Sequence, residues 1–212
     1  MYAITGGSHG LGLALAQQLA AAGETVISLS RTPPKGEGIG HIACDLTNEG
    51  SINAAAKALL KNKEPLHALV NCAGMYSRQK LSTLTGPDLA RMYTTNVIGP
   101  TLLTARLLER IKKDGSDIVN VASNAAFASG AGEAAYASSK WAMRGFSQNL
   151  QVELKQNPSR VISFCPDSIN TNDTPDGAQT GMGSDELAAF LLQLLRLPKN
   201  IEVSEVRVRH KP

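Results

Sequence analysis

The sequence predicts an α/β fold in which a doubly wound, roughly seven-stranded parallel sheet carries helices on both faces. Three observations predict it. Short β-branched or apolar runs alternate with longer stretches of helical period, the mark of βαβ units. A glycine-rich turn, Thr5-Gly6-Gly7-Ser8-His9-Gly10-Leu11-Gly12, joins the first strand to the first helix. The 212 residues suffice for one sizeable core but not for two domains with separate functions, so a single domain over 1–212 is expected.

Each element follows from local pattern. Strands are expected near Tyr2–Thr5, Thr25–Leu29, His41–Cys44, Ala68–Asn71, Ile118–Val121, Arg160–Phe164 and Glu202–Val208. Helices are expected near Leu11–Ala22, Ser51–Leu60, Pro87–Ile111, Ala135–Asn157 and Asp185–Leu195. Gly23 reads as the cap that ends the first helix, and Pro158 as the residue that forbids continuation of the Ala135–Asn157 helix. Two long polar loops remain, Pro33–Gly40 and Asn170–Gly183.

With 42% hydrophobic residues, 18% charged residues and 19 glycines, the composition is that of a soluble globular chain, and excludes disordered and collagen-like classes. A dispersed net charge of +3 offers no basic face for nucleic acid, and the one basic run, Arg207–Lys211, reads as a solvated edge strand and terminus. Cys44, Cys72 and Cys165 show neither a Cys-x-x-Cys pair nor histidines at zinc spacing, so free thiols in a reducing cytoplasm and no metal are expected. Met1–Thr5 runs straight into the glycine turn without a signal segment, and no apolar run approaches the roughly 20 residues that span a bilayer. The expectation is a cytoplasmic protein with no membrane or nucleic-acid partner.

Between a strand and a helix, the glycine-rich turn has a chemical meaning. Gly6 permits the turn, Gly10 lets backbone N–H groups approach a pyrophosphate, Gly12 lets helix and strand pack closely, and the helix N-terminus supplies partial positive charge. Ser8, His9 and Leu11 are expected to complete this contact set. An acid commonly ends the second strand of NAD-binding chains, holding the ribose 2′-hydroxyl; here that end reads Ser28-Leu29-Ser30-Arg31. Ser30 can donate to a 2′-phosphate and Arg31 can pair with it through a planar fork, so NADP(H) is expected in preference to NAD(H). Asp45-Leu46 and Asn71-Cys72-Ala73-Gly74 follow the third and fourth strands at the sheet edge where ligands bind, and are expected to line adenine and ribose. Asp45 also suits a helix N-cap.

Reduction of a carbonyl needs a donor to the developing alkoxide beside a hydride source. Tyr-x-x-x-Lys spacing puts both side chains on one helix face, and it occurs twice, at Tyr76/Lys80 and Tyr136/Lys140. The first pair follows Gly74 with no strand-end serine upstream and is read as chance. Tyr136 begins a long helix, and Ser123 ends the strand before it, so the two hydroxyls can meet at one carbonyl oxygen. Bringing a phenol from about 10 to near neutrality requires about 4 kcal/mol. An ammonium about 4 Å away at an effective dielectric near 20 supplies roughly that much, a role expected of Lys140 with help from the charge of an oxidised nicotinamide.

Thr5-Gly6 with Gly10 and Gly12, Asn71 to Gly74, Asn96 in Asn96-Val97-Ile98-Gly99, Ser123, and Tyr136-Ala137-Ser138-Ser139-Lys140 stand in one order. In these motifs, over nearly the whole chain, the sequence resembles the short-chain dehydrogenase/reductase family, whose domain is of Rossmann type. The resemblance implies that Tyr136 is the general acid/base, that Ser123 orients the substrate, that Lys140 also holds the nicotinamide ribose, and that Asn96 anchors a water relay to Lys140. It implies cofactor contacts from Pro166, Ile169 and Thr171, the last to the carboxamide. It further implies a homodimer or homotetramer through the Pro87–Ile111 and Ala135–Asn157 helices. There Leu102, Leu103, Leu107, Trp141, Phe146 and Leu150 offer apolar contact that a core face explains equally well.

Three features depart from the family pattern. Cys72 replaces a common asparagine. Pro166-Asp167 stands where the family usually has Pro-Gly, which removes backbone freedom and adds negative charge beside the nicotinamide. The expected substrate loop around 170–183 is short, polar and glycine-rich, with little apolar wall. The function expected is NADPH-dependent, reversible reduction of a small aldehyde, ketone or quinone, with Glu133 either meeting a basic group or standing as a solvated loop acid. Two other readings share the fold. An NADPH-binding sensor with little turnover is favoured by Asp167 and the meagre lid, and opposed by the retention of Tyr136 and Lys140. An epimerase or dehydratase on an activated sugar is opposed by the short carboxyl-terminal portion.

Overall fold

The computed structural model describes residues 1–170 and 181–211. In chain order its elements are β1 (Tyr2–Thr5), α1 (Gly10–Ala21), β2 (Val26–Ser30), β3 (Ile39–Ala43), α2 (Glu49–Lys61), β4 (Ala68–Asn71), α3 (Gly86–Tyr93), α4 (Gly99–Asp114) and β5 (Asp117–Val121). There follow α5 (Ala134–Glu153), β6 (Val161–Pro166), β7 (Ile169–Asn170), β8 (Met182–Gly183), α6 (Ser184–Leu195) and β9 (Glu205–Val208). Seven strands form one parallel sheet in the order β3-β2-β1-β4-β5-β6-β9, and β7 pairs with β8 apart from it. The architecture is the expected doubly wound, Rossmann-type fold.

Helices on both faces explain why β4, β5 and β6 are buried at every position. One face is covered by α1, through Leu11, Leu15 and Leu19, and by α6, through Leu187, Leu191 and Leu195. The other lies under α2, α4 and α5, through Ile52, Leu59, Leu103, Leu107, Ile111 and Leu150. Leu103, Leu107 and Leu150 are therefore core residues, with Leu102 and Phe146 packed partly buried beside them, while Trp141 is 51% exposed.

Gly23, at φ +81°, turns the chain out of α1 as expected. Pro158 does not end α5. The helix stops at Glu153, where buried Leu154 drops into the core and the Asn157 N–H closes a turn onto the Leu154 carbonyl at 2.8 Å. Pro158 packs instead against Gly115. The single helix expected over Pro87–Ile111 is a continuous helical run interrupted by one π turn, Thr94–Ile98. The cause is Pro100. It lacks an N–H for the carbonyl four residues back, that of Asn96, and its ring crowds that carbonyl, so the helix widens there.

At the opposite end of the sheet, buried Asp117 accepts two hydrogen bonds from Arg160, at 3.0 and 2.6 Å, and one from Lys199 at 2.6 Å. Arg160 also donates to the Leu195 carbonyl at the end of α6 and to the carbonyls of Leu197, Pro198 and Ile201 in the segment that follows it. Stripping one partner from such a pair strands a buried charge, at about 3–5 kcal/mol. Among the described residues no helix is long and apolar enough to cross a membrane.

Candidate active site

From β1 the chain winds outward through β2 to β3, and from β4 it winds the other way, so a crevice opens between the carboxyl ends of β1 and β4. Buried Thr5 bridges it. Its Oγ1 accepts the N–H groups of Cys72 and Ala73, both at 3.0 Å, drawing the segment after β4 toward β1. Gly6 has φ +69°, and a Cβ there would lie 2.8 Å from the Ala73 Cα, so only glycine fits between the two turns. His9 stands at the start of α1 in extended backbone, and no side chain among the described residues caps the helix. With no acid in its first turn, α1 presents open N–H groups and a positive helix end beside Gly6 and Gly10. This cradle fits a dinucleotide pyrophosphate. Ser8 and His9 pair with each other at 3.2 Å on the exposed rim, while Leu11 is buried in the core.

At the end of β2, Ser30 is buried, and its hydroxyl donates to the Thr32 carbonyl at 2.8 Å while facing Ser28 Oγ at 2.8 Å. Its one proton is thus committed, and Arg31 is the exposed donor. Asp45 is not the N-cap of α2. That place belongs to Asn48, whose Oδ1 accepts the Ser51 N–H at 2.8 Å. Asp45 Oδ1 takes the backbone N–H and hydroxyl of Thr47 instead, and these hold its carboxyl below the ordinary value against burial, with Arg31 adding to the effect. Leu46 is buried against Gly99. Below the crevice Asn71 Nδ2 donates to Thr104 Oγ1 and to Asn120 Oδ1, and Asn120 Nδ2 donates to Ser147 Oγ, tying β4 and β5 to α4 and α5.

The π turn aims Asn96 at this edge. Its side chain brackets the Met75 backbone, accepting the N–H at 2.8 Å and donating to the carbonyl at 3.0 Å, and also donates to Ser139 Oγ at 3.0 Å. Ser139 in turn donates to the Tyr136 carbonyl at 2.6 Å. Lys140 is buried and its Nζ donates to the Val121 carbonyl at 2.9 Å. A Cβ at Gly74 would come within 3.3 Å of that Nζ and 3.5 Å of Asn96 Oδ1, so both groups reach one point above Gly74. The Ser123 hydroxyl accepts the Ala125 N–H at 3.1 Å, fixing it at the head of a tight turn beside Tyr136.

Lys140 does not by itself lower the Tyr136 phenol. Its Nζ lies 5.8 Å from the ring centroid. Burial pushes the phenol above its ordinary value, the Ser123 hydroxyl works the other way, and the Glu133 carboxylate adds to the rise. The physical reason is desolvation of the phenol itself, the largest cause of its rise; the same burial pulls the Lys140 ammonium down to about 8. The neighbouring Cys72 thiol is pushed up to about 11 by the same burial and is neutral.

Tyr76 belongs to no helix, so the Tyr76/Lys80 spacing places no pair on a common face. Its ring nevertheless stands edge-on to that of Tyr136, with centroids 4.9 Å apart, and its hydroxyl donates to Glu133 at 3.0 Å. Glu133 also accepts the Gly130 N–H at 2.9 Å, so it is a half-buried loop acid with two hydrogen-bonded partners and meets no basic group among the described residues. Pro166 is buried at the end of β6, and Ile169 packs against the core beside it. Asp167 needs no glycine conformation, because no non-glycine residue among those described has a positive φ, and its N–H pairs with the Val208 carbonyl at 2.8 Å. Thr171 and most of the expected 170–183 loop lie outside the described residues.

A family model described as short chain dehydrogenase matches residues 1–180. The 3-oxoacyl-(acyl-carrier-protein) reductase of Rattus norvegicus is 32% identical over 182 residues, covering 81% of this chain and 76% of the relative. Carbonyl reductase family member 4 of Danio rerio is 27% identical over 211 residues, covering 95% and 86%. Of solved structures, an alcohol dehydrogenase from Thermococcus sibiricus complexed with 5-hydroxy-NADP matches in fold with a TM-score of 0.89 at 24% identity, covering 100% of this chain and 97% of that one. A metagenomic short-chain oxidoreductase in complex with NADP has a TM-score of 0.86 at 26% identity, covering 100% and 96%.

The burial of Lys140 has a consequence for stability. Below about 8 the folded protein carries a buried ammonium and the full penalty; above that value the folded form has lost its proton while the unfolded chain, at 10.5, still holds one. Stability therefore rises with pH across this window. Urea unfolding should show the wild type gaining on Lys140→Met between pH 8 and 10.5, by up to roughly 3 kcal/mol. A pH-independent difference between the two proteins would contradict the assignment.

Proposed function

The chain belongs to the short-chain dehydrogenase family, and from that premise we propose that it acts as one NADP(H)-binding unit reducing an aldehyde, ketone or quinone to an alcohol, reversibly, with Tyr136 as general acid/base. The observation that carries this reading is the meeting of Ser123, Tyr136 and buried Lys140 at the sheet edge beside the Gly6–Gly12 cradle. The two curated relatives, a 3-oxoacyl reductase and a carbonyl reductase by name, support a carbonyl substrate.

When bound, the reduced nicotinamide supplies a hydride to the carbonyl carbon. The open N–H groups at the start of α1 hold the pyrophosphate, with Ser8 and His9 at the rim. Arg31 takes the 2′-phosphate, which favours NADP(H), and Ser30 supports the turn behind it. Asp45, Leu46, Asn71, Ala73 and Gly74 line the adenosine side, and Pro166, Ile169 and Thr171 the nicotinamide side. Ser123 donates to the substrate oxygen and Tyr136 delivers its phenolic proton as charge builds there. A phenol held high by burial keeps that proton at neutral pH, the state reduction requires. Lys140 then faces the phenolate, and Asn96, held above Gly74, anchors the water that returns the proton. Oxidation would need the phenolate at the outset, and Lys140 is the cation on the same helix face that would stabilise it.

The active form in this proposal is a homodimer or homotetramer. The outer face of α5 supports it: Trp141 and Val152 are 51% and 74% exposed, and nothing lies within 4 Å of a Cβ at Gly145. A mid-helix glycine disfavours the helix by about 1 kcal/mol relative to alanine, an outlay explained if a second copy's helix packs closely there.

NADPH oxidation over a panel of carbonyls should fall by about 10²–10⁴-fold in Tyr136→Phe, and full activity in that variant would refute the mechanism. Arg31→Glu should weaken NADPH binding by about 10–100-fold and leave NADH binding equal or better, read from cofactor fluorescence titrations. Light scattering should return two or four times the mass of one chain, and Gly145→Gln should shift it toward one; a wild-type chain that is monomeric at micromolar concentration removes the oligomer.

A further inference from the structure

The carboxyl-terminal strand does more than close the sheet. We propose that Arg207, on β9, is a positioning residue that holds the turn carrying Ser123, and so sets where the substrate oxygen is received. The proposal rests on the reading of Ser123 as the substrate-orienting hydroxyl.

Glu205 and Arg207 are two residues apart on one strand and so face the same side, toward α5 and the turn after Ser123. Glu205 accepts both arms of Arg144 from α5, at 2.5 and 3.0 Å, a two-point fork that fixes the guanidinium plane. Arg207 donates through Nε to Asn124 Oδ1 at 2.6 Å. Both guanidinium groups also lie over the Phe127 ring, Arg144 at 4.3 Å and Arg207 at 4.6 Å from its centroid. Asn124–Ala126 is the single tight turn whose N-cap is Ser123 itself, its hydroxyl accepting the Ala125 N–H. Arg207 therefore grips both ends of this turn, at Asn124 and Phe127, while Arg144 and Glu205 anchor the grip to the helix that carries Tyr136 and Lys140.

Arg207 is exposed, and an exposed guanidinium contributes little to global stability. A displacement of the hydroxyl by even 1 Å, by contrast, lowers turnover by up to about 100-fold. Function should consequently respond to Arg207 where stability does not.

The test compares the full-length wild type with Arg207→Ala and Arg207→Lys, using a carbonyl that the wild type reduces, NADPH fluorescence titration, thermal melting, and hydrogen exchange of the amides in segment 124–128. In Arg207→Ala the expected result is a fall in kcat of about 10-fold, unchanged NADPH affinity and melting, and faster exchange in that segment. Arg207→Lys keeps the charge but loses the Nε donor to Asn124 and the planar face over Phe127, and should recover only part of the turnover. Wild-type turnover together with wild-type exchange in Arg207→Ala overturns the proposal, as does a loss of NADPH affinity that accounts for the whole effect. If the wild type reduces no carbonyl, the proposed function fails separately, and the exchange measurement alone decides whether Arg207 holds the turn.

Discussion

The bridge that the Thr5 hydroxyl makes across the carboxyl ends of β1 and β4 is the contact on which the rest of the site depends. A parallel sheet wound in two directions from a central pair must part at that pair. Without a link across the gap, the segment after β4 would be free to swing away. Two N–H groups on one buried oxygen draw Cys72 and Ala73 toward β1, close enough that Gly6 can carry no side chain. The opening that remains is lined by the bare N-terminus of α1 on one side and by Gly74, with Lys140 and Asn96 above it, on the other.

What surrounds this opening is set by burial more than by charge pairing. Lys140 has a backbone carbonyl as its hydrogen-bonded partner, and its ammonium is weakened rather than reinforced by its surroundings. Tyr136 is likewise held in its neutral form. Burial thus moves both groups toward their uncharged forms, the phenol up and the ammonium down. The polar chain from Thr104 and Asn71 through Asn120 to Ser147 ties α4 and α5 to β4 and β5 beneath the site.

The order of elements was legible because alternation of apolar runs and helical stretches is local information, and the strand ends predicted near Thr5, Asn71 and Val121 are those that meet at the crevice. Local signals also misled. Pro158 looked like a helix stop, yet the helix had already ended where Leu154 found the core. Pro100, unremarked in the pattern, determines the π turn that presents Asn96, and the four-residue spacing between the two was there to be read. Asp45 was compatible with a cap that Asn48 supplies, because both lie in one short polar connection.

Local pattern by itself determined the sheet, the glycine-rich turn between β1 and α1, and the placing of Ser123 at a strand end ahead of Tyr136 and Lys140 on one helix. Each depends on residues near in sequence or on strand ends that parallel pairing must bring level; Asn96 was legible only through the family resemblance. Only the tertiary structure decided how those groups are tuned and who holds them. That Tyr76 and Glu133 stand against Tyr136, that Ser30 turns its proton to Thr32, and that a carboxyl-terminal arginine grips the Ser123 turn are contacts between segments far apart in the chain or loops without period. Desolvation, which moves the Tyr136 phenol up and the Lys140 ammonium down, is a property of everything packed around a group, and no spacing of residues encodes it.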